Sequence, residues 1–232
     1  MIASVSTALK LLKQLASTPN IGLSELARIT QTNKSRTFRM LCSLVEEGLV
    51  QQDTQGRYHL GYQALMIGQA ACKQISLVQV SEPIIRQIAS QFDENFQIRI
   101  RDGEQTMQIY AHRSTQPLQV VSQMGNRRLL GMGAAGKVLL AWMSADEAEH
   151  LNPTLKADYH QLTDVRQNGF AESFGEITKG VGATAVPLFE HKTCVACLSA
   201  SVPLVRLDEV YHQALRKALL NAKDDISSLL SR

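Results

Sequence analysis

Apolar residues recur at helical spacing from the start of the chain. Val5, Ala8, Leu9, Leu12 and Leu15 mark the stripe of an amphipathic helix over about residues 5–17, ended by Pro19-Asn20. Ser24 is a suitable N-cap for a short helix over 25–30, with Glu25 favourable at its positive end. After the turn Gln31-Thr32, Asn33 can cap a third helix over 34–47, and Gly48 supplies a left-handed stop. On that helix Phe38, Leu41, Cys42 and Val45 fall on one side, which is expected to pack inward. The period then drops to two: residues 49–52, the turn Asp53-Thr54-Gln55-Gly56 and residues 57–60 read as a β-hairpin.

Helix, helix, tight turn, helix, hairpin is the order of a winged helix-turn-helix. The third helix has the division of faces that such a unit needs. Away from its apolar side lie Ser35, Arg36, Arg39 and Ser43, with Lys34 at the N-terminal end. Arginine can donate two parallel hydrogen bonds to guanine, and serine and lysine can hold phosphates, as can the open backbone donors of a helix start. The candidate DNA contacts are Lys34, Ser35, Arg36, Thr37, Arg39 and Ser43, with Gln55 and Arg57 at the hairpin tip.

Charge sharpens this reading. The chain of 232 residues carries 24 Lys+Arg against 21 Asp+Glu, a formal net charge of +3. Residues 1–61 hold seven basic and four acidic groups, so the whole excess lies there, and the remainder balances at 17 of each. Four cations and no acid stand between Glu25 and Glu46, which points to a polyanion partner. A small-molecule-binding module that uses its winged helix only for protein contacts is the alternative.

Beyond residue 61 the pattern changes class. Residues 62–80 read as a linker helix, and Ser81-Glu82-Pro83 opens another helix reaching residue 92. Strands are expected over 96–101, 106–112 and 118–124, then a helix over 135–143 and a capping box at Ser144 and Glu147. A helix over 159–167 stops at Gly169, a second hairpin pairs 182–189 with 193–202, and a long helix covers 208–230. Paired strands with flanking helices argue α+β. The expected domains are 1–61 for DNA, 62–80 as linker and 81–232 for a ligand. No apolar stretch approaches the roughly 18 residues of a membrane span. Lys10 and Lys13 break the N-terminal stripe, so no signal peptide is read and a cytoplasmic location is expected.

Enzyme chemistry finds little support. Gly131, Gly133 and Gly136 fit G-x-G-x-x-G, and Lys137 makes a near P-loop, but Val138 lacks the hydroxyl that would hold Mg²⁺. Asn126-Arg127-Arg128 is a poor buried strand, and no acid stands about 20 residues on in the ribose position. What survives is a small-residue helix start whose N–H groups suit a carboxylate as well as a phosphate. The six histidines, at 59, 112, 150, 160, 191 and 212, are scattered without metal-ligand spacing. Cys194 and Cys197 form one C-x-x-C with no second pair, on a strand whose period would point them to opposite faces. Neither a metal nor a cofactor is expected.

Residues 23–61 resemble the DNA-binding domain of the IclR family of bacterial transcriptional regulators. Glu25-Leu26-Ala27, Lys34-Ser35, Arg39, Glu46-Glu47-Gly48, Gly56-Arg57-Tyr58 and Leu60-Gly61 carry the match. Gln31 replaces a common glycine, and Arg36 a common threonine. The resemblance continues through Ala134-Ala135-Gly136-Lys137, residues 162–170, Glu176, Gly180, Ala185, Pro187 and 198–203. It implies a C-terminal effector domain similar to GAF domains, and a homodimer or dimer of dimers on operator DNA. It also implies a small, carboxylate-bearing effector held by Gly133, Ala134, Ala135, Ser173, Ala183, Ser199 and Ser201. Ser173 and Ala183 stand where aspartate and cysteine are common in relatives that bind a small oxoacid, which implies a different ligand here. Arg127, Arg128 and Met132 depart from the more usual proline-histidine loop.

Overall fold

A computed structural model describes residues 2–120 and 122–232, without the side chains of residues 72, 73, 157 and 161. The chain divides into one unit ending at Gln74 and another beginning at Ile75.

The first unit runs α1 (Ala3–Ser17), β1 (Ile21–Gly22), α2 (Leu23–Ile29), α3 (Lys34–Glu46), β2 (Val50–Gln52), β3 (Arg57–Leu60) and α4 (Tyr62–Gln74). Leu11 and Leu15 of α1, Leu26 of α2, Leu41 and Leu44 of α3, and Val50 and Tyr58 of the hairpin close one core. The strands pair antiparallel in the order β1-β3-β2, Ile21 opposite Tyr58 and Val50 opposite Leu60. Gly61 allows the chain leaving β3 to press on the end of α3: a Cβ there would sit 2.2 Å from the Gly48 carbonyl oxygen.

The structure corrects two local expectations in this unit. Ser24 is not the cap of α2; the cap is the extended Gly22, with no side-chain bond. Pairing of Ile21 and Gly22 with β3 fixes the backbone as extended, so the helix starts as soon as that strand ends. On α3 the buried residues are Thr37, Leu41 and Leu44, while Phe38, Cys42 and Val45 are exposed. The inward face is therefore rotated by one residue, about 100°. A chain of hydroxyls explains it. Thr30 donates to the Leu26 carbonyl at 2.7 Å, and Thr32 lies 2.8 Å from Thr30 and 2.7 Å from Thr37. Thr37 donates to the Asn33 carbonyl at 3.0 Å. Bonded this way, a polar residue is buried at little net cost.

The second unit contains α5 (Ser76–Phe92), β4 (Asn95–Asp102), β5 (Gln105–His112), β6 (Arg127–Leu129), α6 (Gly133–Ala141), α7 (Ala145–Glu149), α8 (Pro153–Gln161), α9 (Thr163–Asn168), β7 (Ala171–Phe174), β8 (Val181–Glu190), β9 (Thr193–Pro203) and α10 (Glu209–Leu230). The six strands form one antiparallel sheet in the order β6-β5-β4-β9-β8-β7. One face is apolar: Phe96, Ile98, Leu188, Leu198 and Ala200 pack against Ile85 and Ile88 of α5 and Leu215, Leu219 and Ile226 of α10. On the other face Ala171, Ala185 and Cys197 pack against Val138, Leu139 and Leu140 of α6. That second face also carries buried polar residues: Gln97, Arg99, Thr106, Gln108, Ser173, Ser199 and Ser201.

Several expectations for this unit also change. The helix expected over 62–80 is two helices broken at the extended Ile75, and Pro83 lies inside α5 rather than at its start. Leu77, Ser81, Ile85 and Ile88 bury one continuous stripe, and this tertiary packing overrides the local proline signal. Residues 118–124 form no strand among the described residues, Val121 lying outside them; the strand next to β5 is β6, which includes Arg127 and Arg128. The helix expected over 159–167 is split between α8 and α9, and β7 was not foreseen. On β9 the register shifts, Leu188 facing Ala196 and Phe189 facing Cys194, which leaves Val195 as a bulge. Cys194 and Cys197 therefore pack into the same cluster beside α6. Burial pushes the Cys194 thiol up to about 12 and the Cys197 thiol higher still, so both stay protonated and inert.

Candidate DNA-reading helix and effector pocket

Asn33 accepts the Arg36 backbone N–H at 2.8 Å and sets the start of α3. Lys34, Ser35, Arg39 and Ser43 are exposed and Arg36 is half-exposed. Among the described residues none of the three cations, Lys34, Arg36 or Arg39, has an acidic partner. Thr37 is the exception among the expected contacts. It is 0% exposed and its hydroxyl is engaged, so it holds the helix and cannot reach a ligand. Phe38, 48% exposed, takes a place on the outward side that sequence reasoning missed. The signal was available in the spacing 37, 41, 44, but it depends on a threonine being read as a core residue. At the wing, Asp53 accepts the backbone N–H groups of Gln55 at 2.9 Å and Arg57 at 2.8 Å, and pairs with the Arg57 guanidinium at 2.9 Å. These bonds, the Arg57 N–H foremost, hold the Asp53 carboxyl below its usual range. They fix the turn and present Gln55 at the tip.

In the second unit Gly133, Ala134, Ala135, Ser173, Ala183, Ser199 and Ser201 all line one cavity of about 40 Å³. It lies between the start of α6 and the polar face of the sheet. Gly133 has φ +65, and a Cβ there would also crowd Ile177 at 2.9 Å. The donors at the α6 start are partly used. Gly133 N–H donates to Glu176 at 2.7 Å and Ala134 N–H to the Ser173 hydroxyl at 3.2 Å, while Ala135 N–H is left open. Lys137 pairs with the same Glu176 at 2.7 Å. Burial works to raise the Glu176 carboxyl, but Lys137 and the Gly133 N–H outweigh it and hold it below its usual range. Ser201 accepts from Gln97 at 2.8 Å, and its own proton remains to be donated. Ser199 has no hydrogen-bond partner among the described residues. Among the described residues neither hydroxyl is bonded to backbone.

Sequence reasoning missed the cations of this cavity. Arg99 of β4 and Arg128 of β6 both line it, and no aspartate or glutamate does. Arg99 is 1% exposed. Its guanidinium donates to Thr106 Oγ1 at 3.0 Å, Gln108 Oε1 at 3.2 Å, the Thr106 carbonyl at 3.3 Å and the Asn126 carbonyl at 2.9 Å, all neutral acceptors. Burial, and then the nearby Arg128 charge, pull the Arg99 pKa down to about 10. The arginine stays charged at neutral pH, in a cavity with no counter-charge. Among the described residues no group of His, Cys, Asp or Glu gathers as a metal site, and no helix is long and apolar enough to cross a membrane.

A winged helix-turn-helix joined to an α+β unit with a cationic cavity is the layout of one class: DNA-binding regulators that carry an effector-binding domain. Residues 69–228 match the family described as bacterial transcriptional regulator IclR C-terminal, and residues 4–54 match the IclR helix-turn-helix domain. The chain belongs to the IclR family of transcriptional regulators. It is 27% identical over 206 residues to the HTH-type transcriptional regulator KipR of Bacillus subtilis, covering 83% of this chain and 82% of that one. The fold is shared with the IclR transcriptional regulator of Alicyclobacillus acidocaldarius, at TM-score 0.87 and 22% identity over 99% of each chain. It is also shared with an IclR homolog from Microbacterium hydrocarbonoxydans complexed with 4-hydroxybenzoate, at TM-score 0.83 and 17% identity over 98% of each chain.

Proposed function

We propose that this chain binds a palindromic operator as a homodimer or dimer of dimers in the cytoplasm and responds to a small carboxylate-bearing metabolite. The observation that carries the carboxylate is the buried, uncompensated charge of Arg99 beside the free Ser199 hydroxyl and the open Ala135 N–H. A carboxylate accepts from all of these and supplies the missing negative charge. The fold-related homolog that holds 4-hydroxybenzoate, itself a carboxylate, supports the same reading.

On the DNA side, Lys34, Ser35, Arg36, Arg39 and Ser43 contact the major groove and its phosphates, with Gln55 and Arg57 at the wing. Phe38 adds an apolar contact suited to a thymine methyl. Two recognition helices reach half-sites about one helical turn, or a multiple, apart. The effector changes operator affinity by preferring one arrangement of the DNA-binding units, with α4 and the break at Ile75 as the covalent route between them. A thermal-shift screen of small carboxylic acids on the full chain, repeated with Ser199→Ala, tests the ligand class. Stabilisation by carboxylates that weakens in the variant is the expected result. Stabilisation by none of them contradicts it.

A further inference from the structure

We propose that the effector is a short dicarboxylic acid, a dianion rather than a monoanion; this rests on the carboxylate reading of the same pocket. Counting charge leads there. Arg99 and Arg128 are two cations on one cavity that no acid lines. Their neighbours along the same strands are balanced: Arg101 pairs with Glu147, and Arg127 with Asp102. Glu176, close to the cavity, is already committed to Lys137 and the Gly133 N–H. A single carboxylate would leave one positive charge on the cavity without a partner.

The two cations stand on different strands, Arg99 on β4 next to β9 and Arg128 on the edge strand β6, with Thr106 between them, opposite Arg128 in the register and accepting from Arg99. One acid group can meet Arg99, Ser199 and the Ala135 N–H, and the second can meet Arg128. Gln97 also lines the cavity, and its Oε1 is buried without a partner among the described residues: an acceptor that a donor on the ligand, such as a hydroxyl, would satisfy and a carboxylate would not. The volume of about 40 Å³ holds a few waters and favours short diacids. Release of the Ser173 contact to Ala134 N–H would widen the α6 end.

The test is isothermal titration of the full chain, at fixed ionic strength, with acids matched in carbon count: malonate against propionate and succinate against butyrate. We expect at least one diacid to bind tenfold or more tightly than its partner. In Arg128→Gln that ratio should fall to within threefold, and Arg128→Lys, which keeps the charge, should retain most of it. A ratio near one in the unsubstituted protein, or a ratio unchanged in Arg128→Gln, overturns the inference. If the monoacids bind and weaken in Ser199→Ala while the diacids gain nothing, the dianion falls and the carboxylate reading stands. If no acid of either kind binds, both fall.

Discussion

Ser199→Ala separates an effector contact from a structural one. The hydroxyl lies on β9, 3% exposed, facing the cavity without a protein partner among the described residues. Removing it breaks no protein hydrogen bond, so the change in folding stability should stay within about 0.5 kcal/mol, or roughly 1–2 °C in Tm for a chain of this size. A hydrogen bond from that hydroxyl to an ionised carboxylate is worth about 1.5–3 kcal/mol. Its loss should weaken binding roughly 10- to 150-fold. Titration calorimetry with malonate and propionate reads the affinity, and a thermal melt without ligand reads the stability. A Kd within twofold of the unsubstituted protein would refute the contact. So would a melt lowered by more than about 4 °C, because it would show that the hydroxyl supports the strand. Ser201→Ala is a poorer probe: it strips the Gln97 side chain of the one hydrogen bond it makes among the described residues and mixes stability with binding.

Arg39→Ala should weaken operator binding by about 1–3 kcal/mol in a gel-shift titration while the melt is unchanged, since the side chain is exposed and has no acidic partner. Thr37→Val should act in the opposite way, lowering stability by about 1–3 kcal/mol in urea denaturation, because it opens the hydroxyl chain from Thr30 through Thr32. Acid sensitivity should fall in a defined window. Glu176, through Lys137 and the Gly133 N–H against the opposing effect of burial, and Asp93, through Thr115, are held below their usual ranges near 4.5 and 3.8. Their contribution is therefore full at neutral pH and lost as pH falls below those values. The urea midpoint should be flat from pH 7 to about 5.5 and drop below about 4.5, and an equally steep drop in Glu176→Gln would remove that residue from the explanation.

The parts of the fold that could be read from the chain are those with local causes. Asn33 and Ser144 cap their helices as their spacing indicates, and Gly48 and Gly169 end theirs in the left-handed region. What escaped has causes outside the local period. Thr37 looks exposed until Thr30 and Thr32 fold beside it. Pro83 looks like a helix start until the stripe from Leu77 to Ile88 is seen against the sheet. The bulge at Val195 brings Cys194 and Cys197 to one side of the sheet, and no local period announces it.

The same limit applies to the pocket. The residues brought by the resemblance line the cavity, but Arg99 sits in the alternating run 96–101 and reads as an outward strand cation. Its acceptors come from Thr106, Gln108 and Asn126, and only the folded sheet brings them together to bury it. Arg128 stands in a segment whose charge argues against a buried strand. A charge at that place becomes sensible only when a cavity stands beside it.

The most direct measurement couples the two units. An operator selected from a random DNA pool by the full chain is titrated in gel shift with and without saturating malonate, for the unsubstituted protein and for Ser199→Ala. The predicted result is enrichment of an inverted repeat, with an operator Kd that malonate shifts at least fivefold, a coupling of about 1 kcal/mol. In Ser199→Ala the same shift should require at least tenfold more malonate. No enriched sequence, or an operator Kd that no concentration of the acid changes, would contradict a carboxylate-responsive DNA-binding regulator.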